Sequence, residues 1–213
     1  METYIQEAIF ILFQFCFLIQ LYFLLTNQSR LKSYYQTDEL PASNIPVSVI
    51  ISARNEAVNL SENLPLILQQ DYPDFEVVVI NDCSYDASDD ILTDLKESHP
   101  NLKVVTITEH ERFKTGKKFA LTLGIKAAKN EYLLFTDADC RPASEHWITR
   151  MAAKFNPGVQ IVLGYSPYAK TKNYLNGFVR FETIKAAINY LAAAINGDAY
   201  MGVGRNIDRK SVV

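Results

Sequence analysis

A chain of 213 residues, 48% of them apolar, can bury one substantial core and is short for more than two domains. A formal net charge of −3 and a pI near 5.7 give no hint of a nucleic-acid surface. Its three cysteines, Cys16, Cys83 and Cys140, form no C-x-x-C pair, which argues against a disulfide framework and a zinc site, and Cys83 and Cys140 are expected to be reduced thiols in a cytosolic compartment.

The first predicted element is an apolar helix. Ala8 to Leu25 carries no charge and is dense in Phe, Ile and Leu, and with Tyr4 and Ile5 it reaches the ~20 residues a membrane span needs. Gln14 and Gln20 are tolerable against another helix. Acidic leading residues and the lack of a small-residue cleavage site do not fit a signal peptide. A buried soluble helix is the alternative, and it would need cover on every side. Glu2 and Glu7 precede the helix while Arg30 and Lys32 come after it, so the large domain belongs in the cytoplasm. The division is residues 1–30 for the span and its flank, 31–45 for a polar linker, and 46–213 for one domain that is incomplete at its C-terminus.

From Pro46 onward, apolar runs alternate with helical ones. Strands are predicted at Val47–Ser52, Glu76–Ile80, Lys103–Ile107, Tyr132–Thr136 and Gln160–Tyr165. Helices are predicted at Ala57–Gln70 with a break near Pro65, then Ser88–Glu97, Lys117–Lys129, Ser144–Phe155 and Phe178–Ile195, the last as scaffold. Such alternation implies an α/β fold, a mostly parallel sheet with helices on both faces, whose ligands gather at the carboxyl ends of the strands.

Four strand and helix ends carry chemistry. The first strand opens into Ala53-Arg54-Asn55-Glu56, with Asn55 as a cap for the next helix. The second stops at Asn81-Asp82-Cys83-Ser84, with Asp86 or Ser88 to cap its helix and Asp82 free to accept hydrogen bonds from a ribose or base. Thr115-Gly116-Lys117 opens a helix, and a lysine there is well placed for phosphate. The fourth is Asp137-Ala138-Asp139 after Tyr132–Phe135: the small middle residue lets both carboxylates face one site, and such hard oxygens suit Mg²⁺ or Mn²⁺ holding a diphosphate. Taken singly, each has a bland reading as a capped or solvated loop.

In order and spacing, V-S-V-I-I-x-A-R-N-E, V-V-V-I-N-D-x-S-x-D, G-K-x-x-A-L and E-Y-L-L-F-T-D-A-D-C-R-P resemble the family 2 glycosyltransferases of the GT-A, Rossmann-like fold, here membrane-anchored and inverting. The resemblance continues more weakly through Gly164-Tyr165-Ser166 and Gly202-Val203-Gly204-Arg205-Asn206. It implies a hexosyl- or N-acetylhexosaminyl-transferase that takes a nucleotide sugar, usually a UDP-sugar, and a saccharide or lipid-linked acceptor at the cytoplasmic face of the cell membrane. Asp139 is implied as the direct ligand of a divalent metal (Mn²⁺ or Mg²⁺), and Asp137 as a contact of the ribose or sugar. Ala53, Arg54, Glu56 and Asp82 are implied for the nucleoside pocket, Lys117 for base or phosphates, and Gly204, Arg205 and Asn206 for the acceptor side or a structural turn. Cys83 departs from the glycine common in the family and narrows the backbone options there.

Inversion needs a carboxylate to take the acceptor's proton. The family's E-D or D-D motif for it lies downstream of the G-x-G-R-N region, so the expected base lies beyond Val213 and no catalytic base is assigned within the chain. Asp208 is read as a surface residue. The alternatives are a sugar-nucleotide-binding module without turnover and a nucleotidyltransferase, although Ser52–Glu56 lacks the glycine-rich phosphate loop of the latter.

Overall fold

The computed structural model describes residues 2–34, 44–108, 116–156 and 158–210. Most of the predicted linker, residues 35–43, lies outside the described residues, as do Thr115 and the last three positions. By contact the chain divides into two compact units, Met1–Thr37 with Pro167–Gly202, and Asp38–Ser166 with Val203–Val213. Residues 167–202, which the sequence reading places inside one domain from 46 to 213, thus cluster with the N-terminal helix.

The first unit holds two helices, α1 (Glu2–Ser33) and α6 (Tyr174–Ile195), which pack against each other. Within α1, Thr3–Thr26 is long and apolar enough to cross a membrane, and none of its most apolar window is buried against protein. The half-buried described residues of α1, Thr26 and Leu31, lie in its last turns. Asn173 caps α6, its side chain accepting from the Asn176 backbone N–H at 2.6 Å.

The second unit is a six-stranded sheet in the order β3-β2-β1-β4-β6-β5, built from β1 (Val47–Ala53), β2 (Phe75–Asp82), β3 (Leu102–Ile107), β4 (Tyr132–Asp137), β5 (Ile161–Leu163) and β6 (Ile207–Lys210). β3, β2, β1 and β4 pair in parallel; β6 runs antiparallel between β4 and β5. The fold is the mostly parallel α/β sheet that the sequence predicts. Its central strands are buried on both faces, which is why they read as continuous apolar runs.

Alternate side chains feed two cores. Val49, Ile51, Val77, Val79 and Leu134 face α2 (Ala57–Leu68), α3 (Ser88–Ser98) and α5 (Trp147–Ala152). Ile50, Val78, Ile80 and Leu133 face α4 (Lys117–Ala127). Gly124 lets α4 approach closely: a Cβ there would stand 2.5 Å from Ile80 Cδ1 and 2.7 Å from Ile50 Cγ2.

Several local expectations are corrected. α2 runs unbroken through Pro65, with Leu64, Ile67 and Leu68 buried around it and the Pro65 carbonyl accepting from Gln69 N–H at 3.1 Å. Helical packing of these apolar residues outweighs the hydrogen bond that proline cannot donate. Asn55 does not cap α2: it adopts φ 56°, and its Oδ1 accepts from Tyr85 N–H at 2.8 Å instead. Asp208 is not on the surface. It lies on β6 opposite Leu134 and Val162 and is fully buried, so the apolar cross-strand neighbours push its carboxyl up to about 8.

A candidate nucleotide-sugar and metal site

At the carboxyl edge of the parallel strands, a cavity of about 300 Å³ is lined by Ser52, Arg54, Glu56, Asp82, Gly116, Lys117, Asp137, Ala138 and Asp139. Asp82 and Asp137 are the last residues of β2 and β4, and β1 between them leads into Arg54 and Glu56. Parallel pairing in register therefore converts segments spread over more than eighty residues of sequence into one rim.

Hydrogen bonds between the loops after β1 and β2 fix that rim. Asn55 N–H donates to Ser84 Oγ at 2.9 Å, Glu56 N–H to Ser88 Oγ at 3.2 Å, and Ala57 N–H to Asp86 Oδ2 at 2.9 Å. Asp86 also accepts from Ser88 N–H at 3.1 Å. The Ser88 hydroxyl and these amides hold the Asp86 carboxyl below the usual carboxylate range, and the residue is structural, as its place in the sequence predicts. Cys83 takes φ 52°, the left-handed conformation that glycine adopts without cost.

The acidic turn after β4 concentrates the ligand atoms. Asp137, Asp139 and Cys140 offer carboxylate and thiol atoms within 4.8 Å of one another. Cys140 Sγ lies 3.5 Å from Asp139 Oδ1; burial, then the Asp139 charge, pushes the thiol up, so the carboxylates are the hard anionic donors here. Lys117 Nζ donates to Asp137 Oδ1 at 2.7 Å, a largely exposed ion pair that contributes little to stability and leaves the lysine within reach of a ligand. Asp82 is only 3% exposed, and its Oδ1 has no hydrogen-bond partner among the described residues. A buried, unpaired carboxylate oxygen on a cavity wall is costly unless a ligand satisfies it.

These residues fit a divalent cation together with a nucleoside diphosphate: oxygen donors from Asp137 and Asp139, a cation at Lys117 for phosphate, and an open acceptor at Asp82. Of the residues singled out in the sequence, Arg54, Glu56, Asp82, Lys117, Asp137 and Asp139 meet at the cavity. Ala53 is buried in the core beneath it. Gly204, Arg205 and Asn206, a single 3₁₀ turn, are not among its lining residues. Asn206 is instead a clamp: Oδ1 accepts from Trp147 Nε1 at 3.1 Å, Nδ2 donates to the Tyr165 carbonyl at 3.2 Å, and any side chain at Gly164 would collide with it.

One positioning residue escapes the sequence reading. Asn63 is buried on α2, and its Nδ2 donates to the Ala138 carbonyl at 3.1 Å, tying the middle of the D-A-D turn to the helix below. The available signal was an amide on the apolar face between Leu60 and Ile67.

Comparison with known proteins agrees with this geometry. The family model described as "Glycosyl transferase family 2" matches residues 48–211. A poly-beta-1,6-N-acetyl-D-glucosamine synthase of Staphylococcus epidermidis is 34% identical over 93 residues, 44% of this chain and 21% of the relative. Glycosyltransferase AglE of Haloferax volcanii is 32% identical over 126 residues, 57% of this chain and 40% of the relative. The matched region thus covers less than half the length of either relative. Among solved structures, the mannosyltransferase PcManGT of Pyrobaculum calidifontis, in complex with GDP-Man and Mn2+, superposes with a TM-score of 0.65 at 25% identity, covering 90% of this chain and 51% of that one. The match over most of the chain, on a sheet whose edge carries the expected acidic turn, makes this protein a member of glycosyl transferase family 2.

Proposed function

We propose that this protein transfers a sugar from a UDP-sugar to an acceptor hydroxyl, with inversion and with a divalent metal, at the cytoplasmic face of a membrane that α1 spans. The observation that carries this reading is the cavity itself, where Asp82, Asp137, Asp139 and Lys117 converge from three different elements. Support for the class of donor comes from family membership and from relatives whose names describe sugar transfer. A bound metal would supply charge neutralisation at the departing diphosphate.

Each residue has a stated part. Asp139 would hold the cation directly, and Asp137 would orient the ribose or sugar. Lys117 releases Asp137 to meet phosphate oxygens, the ion pair being weak enough to exchange. Asp82 accepts from the nucleoside, filling its unpaired oxygen, and Arg54 and Glu56 close the nucleoside side. Asp208 cannot serve as the base that takes the acceptor's proton, since it is sealed between β4 and β5. The basic residues around α1, Arg30 and Lys32 after the apolar stretch with no Lys or Arg ahead of it, support a cytoplasmic site, the compartment in which nucleotide sugars are made.

The test is sugar release or transfer from radiolabelled UDP-sugars and GDP-sugars by membranes carrying the native protein, with Mn²⁺ and after chelation. UDP-sugar turnover that chelation removes and that Asp139→Ala loses is the expected result. Turnover of GDP-sugars alone would reassign the donor, and turnover indifferent to chelation would remove the metal.

A further inference from the structure

None of the residues that line the cavity belongs to α6. Tyr174, Leu175, Phe178 and Phe181 lie exposed along its first two turns, Phe178 at 63% and Phe181 at 61%. Of the buried residues of α6, Ala187 and Tyr190 lie on the opposite side, and Ala192 lies about five turns on from Tyr174, so the exposed strip belongs to the first two turns. Aromatic side chains spaced three and four apart line one side of a helix, so they form a continuous apolar strip rather than scattered exposure. Lys170 and Lys172, both exposed, stand immediately before it. α6 is no membrane span: Arg180, Glu182 and Lys185 interrupt it, and among the described residues only α1 qualifies.

We propose that this face of α6 lies in the interface of a membrane containing anionic lipid, beside the end of α1, with Lys170 and Lys172 on headgroup phosphates and the aromatic strip at the acyl boundary. The inference rests on the reading of α1 as a span. Three observations carry it. α6 packs against α1, whose half-buried described residues, Thr26 and Leu31, lie where the apolar stretch ends. That point is the water boundary, because the 24 residues of Thr3–Thr26 extend ~36 Å and so already cover a hydrocarbon core of about 30 Å. Exposed aromatic rings are favoured at headgroup level, and lysines beside them are drawn to anionic lipid.

Spin labelling of the full chain in vesicles of phosphatidylcholine and phosphatidylglycerol tests this directly. With Cys140→Ser, native Cys16 carries a label that reports on α1, while Cys83 is buried. In a Cys16→Ser/Cys140→Ser background, Phe178→Cys and Leu175→Cys report on α6, and Lys96→Cys on exposed α3 gives the aqueous reference. The expected oxygen-to-nickel-chelate accessibility ratio at 178 and 175 is several-fold above that at 96, and it falls when phosphatidylglycerol is omitted. A label at Cys16 that sits in lipid while 178 and 175 match 96 overturns the α6 proposal and leaves the span standing. Aqueous values at Cys16 as well overturn the span reading, and the proposal with it. Labels at 178 and 175 reached by neither reagent mean that protein covers the strip, which also overturns the proposal. A ratio unchanged in pure phosphatidylcholine overturns the anionic surface.

Discussion

Asp208 and Asn63 show how burial alone changes what a polar residue does. Asp208 carries the raised folded-state value of about 8, against 3.8 for the free carboxyl. Ionisation therefore favours the unfolded chain: the contribution to stability is complete below about pH 4, is lost as pH rises toward 8, and changes no further above it. Asp208→Val, which matches its apolar neighbours on β4 and β5, is expected to flatten that slope and to raise Tm at pH 8 by about 4 °C or more while changing it little at pH 4. A thermal melt series across this pH range checks it; an unchanged slope contradicts the assignment. Asn63→Leu removes the donor that holds the Ala138 carbonyl, and the Mn²⁺ affinity of the site should fall by about tenfold with the helix content unchanged. Manganese electron spin resonance on wild type and variant reads this without any need for turnover, and equal affinities would show the turn to be held by other means.

At the scale of elements, the strands and most helices were legible because the buried strands are apolar runs, two of which, β2 and β4, stop at an acid. The helix boundaries moved by a few residues, and α5 shortened to Trp147–Ala152. Its start is fixed not by a local cap but by Gln70 at the end of α2, whose Oε1 accepts from Trp147 N–H at 2.9 Å and Ile148 N–H at 3.3 Å. No local pattern announces a cap donated from 77 positions away. β6 is illegible for a similar reason: Ile-Asp-Arg-Lys has neither apolar alternation nor length, and it is a strand only because β4 and β5 flank it. Gly124 has no local signal to set it apart from any helical glycine, yet it seats α4 on the sheet. Gly124→Val should lower stability by about 1–3 kcal/mol through collision with Ile80 and Ile50, despite removing a helix glycine. Chemical denaturation would detect that loss; a neutral effect would mean that α4 can shift outward.

Over the whole molecule, four of the predicted ligand segments converge on one cavity, since a parallel sheet gathers strand ends from distant sequence. The Gly204–Asn206 turn was legible as a motif but not as a clamp, because its partners Trp147 and Tyr165 arrive from other elements. The association of residues 167–202 with α1 was likewise unreadable, being a long-range packing choice of α6. The most direct measurement is calorimetric titration of UDP into the full chain in detergent, with and without Mn²⁺, for wild type and Asp139→Ala. Binding that requires Mn²⁺ and disappears in Asp139→Ala is the predicted result. UDP binding that ignores both the metal and the substitution would contradict the assignment of the D-A-D turn as the metal centre of a nucleotide-sugar site.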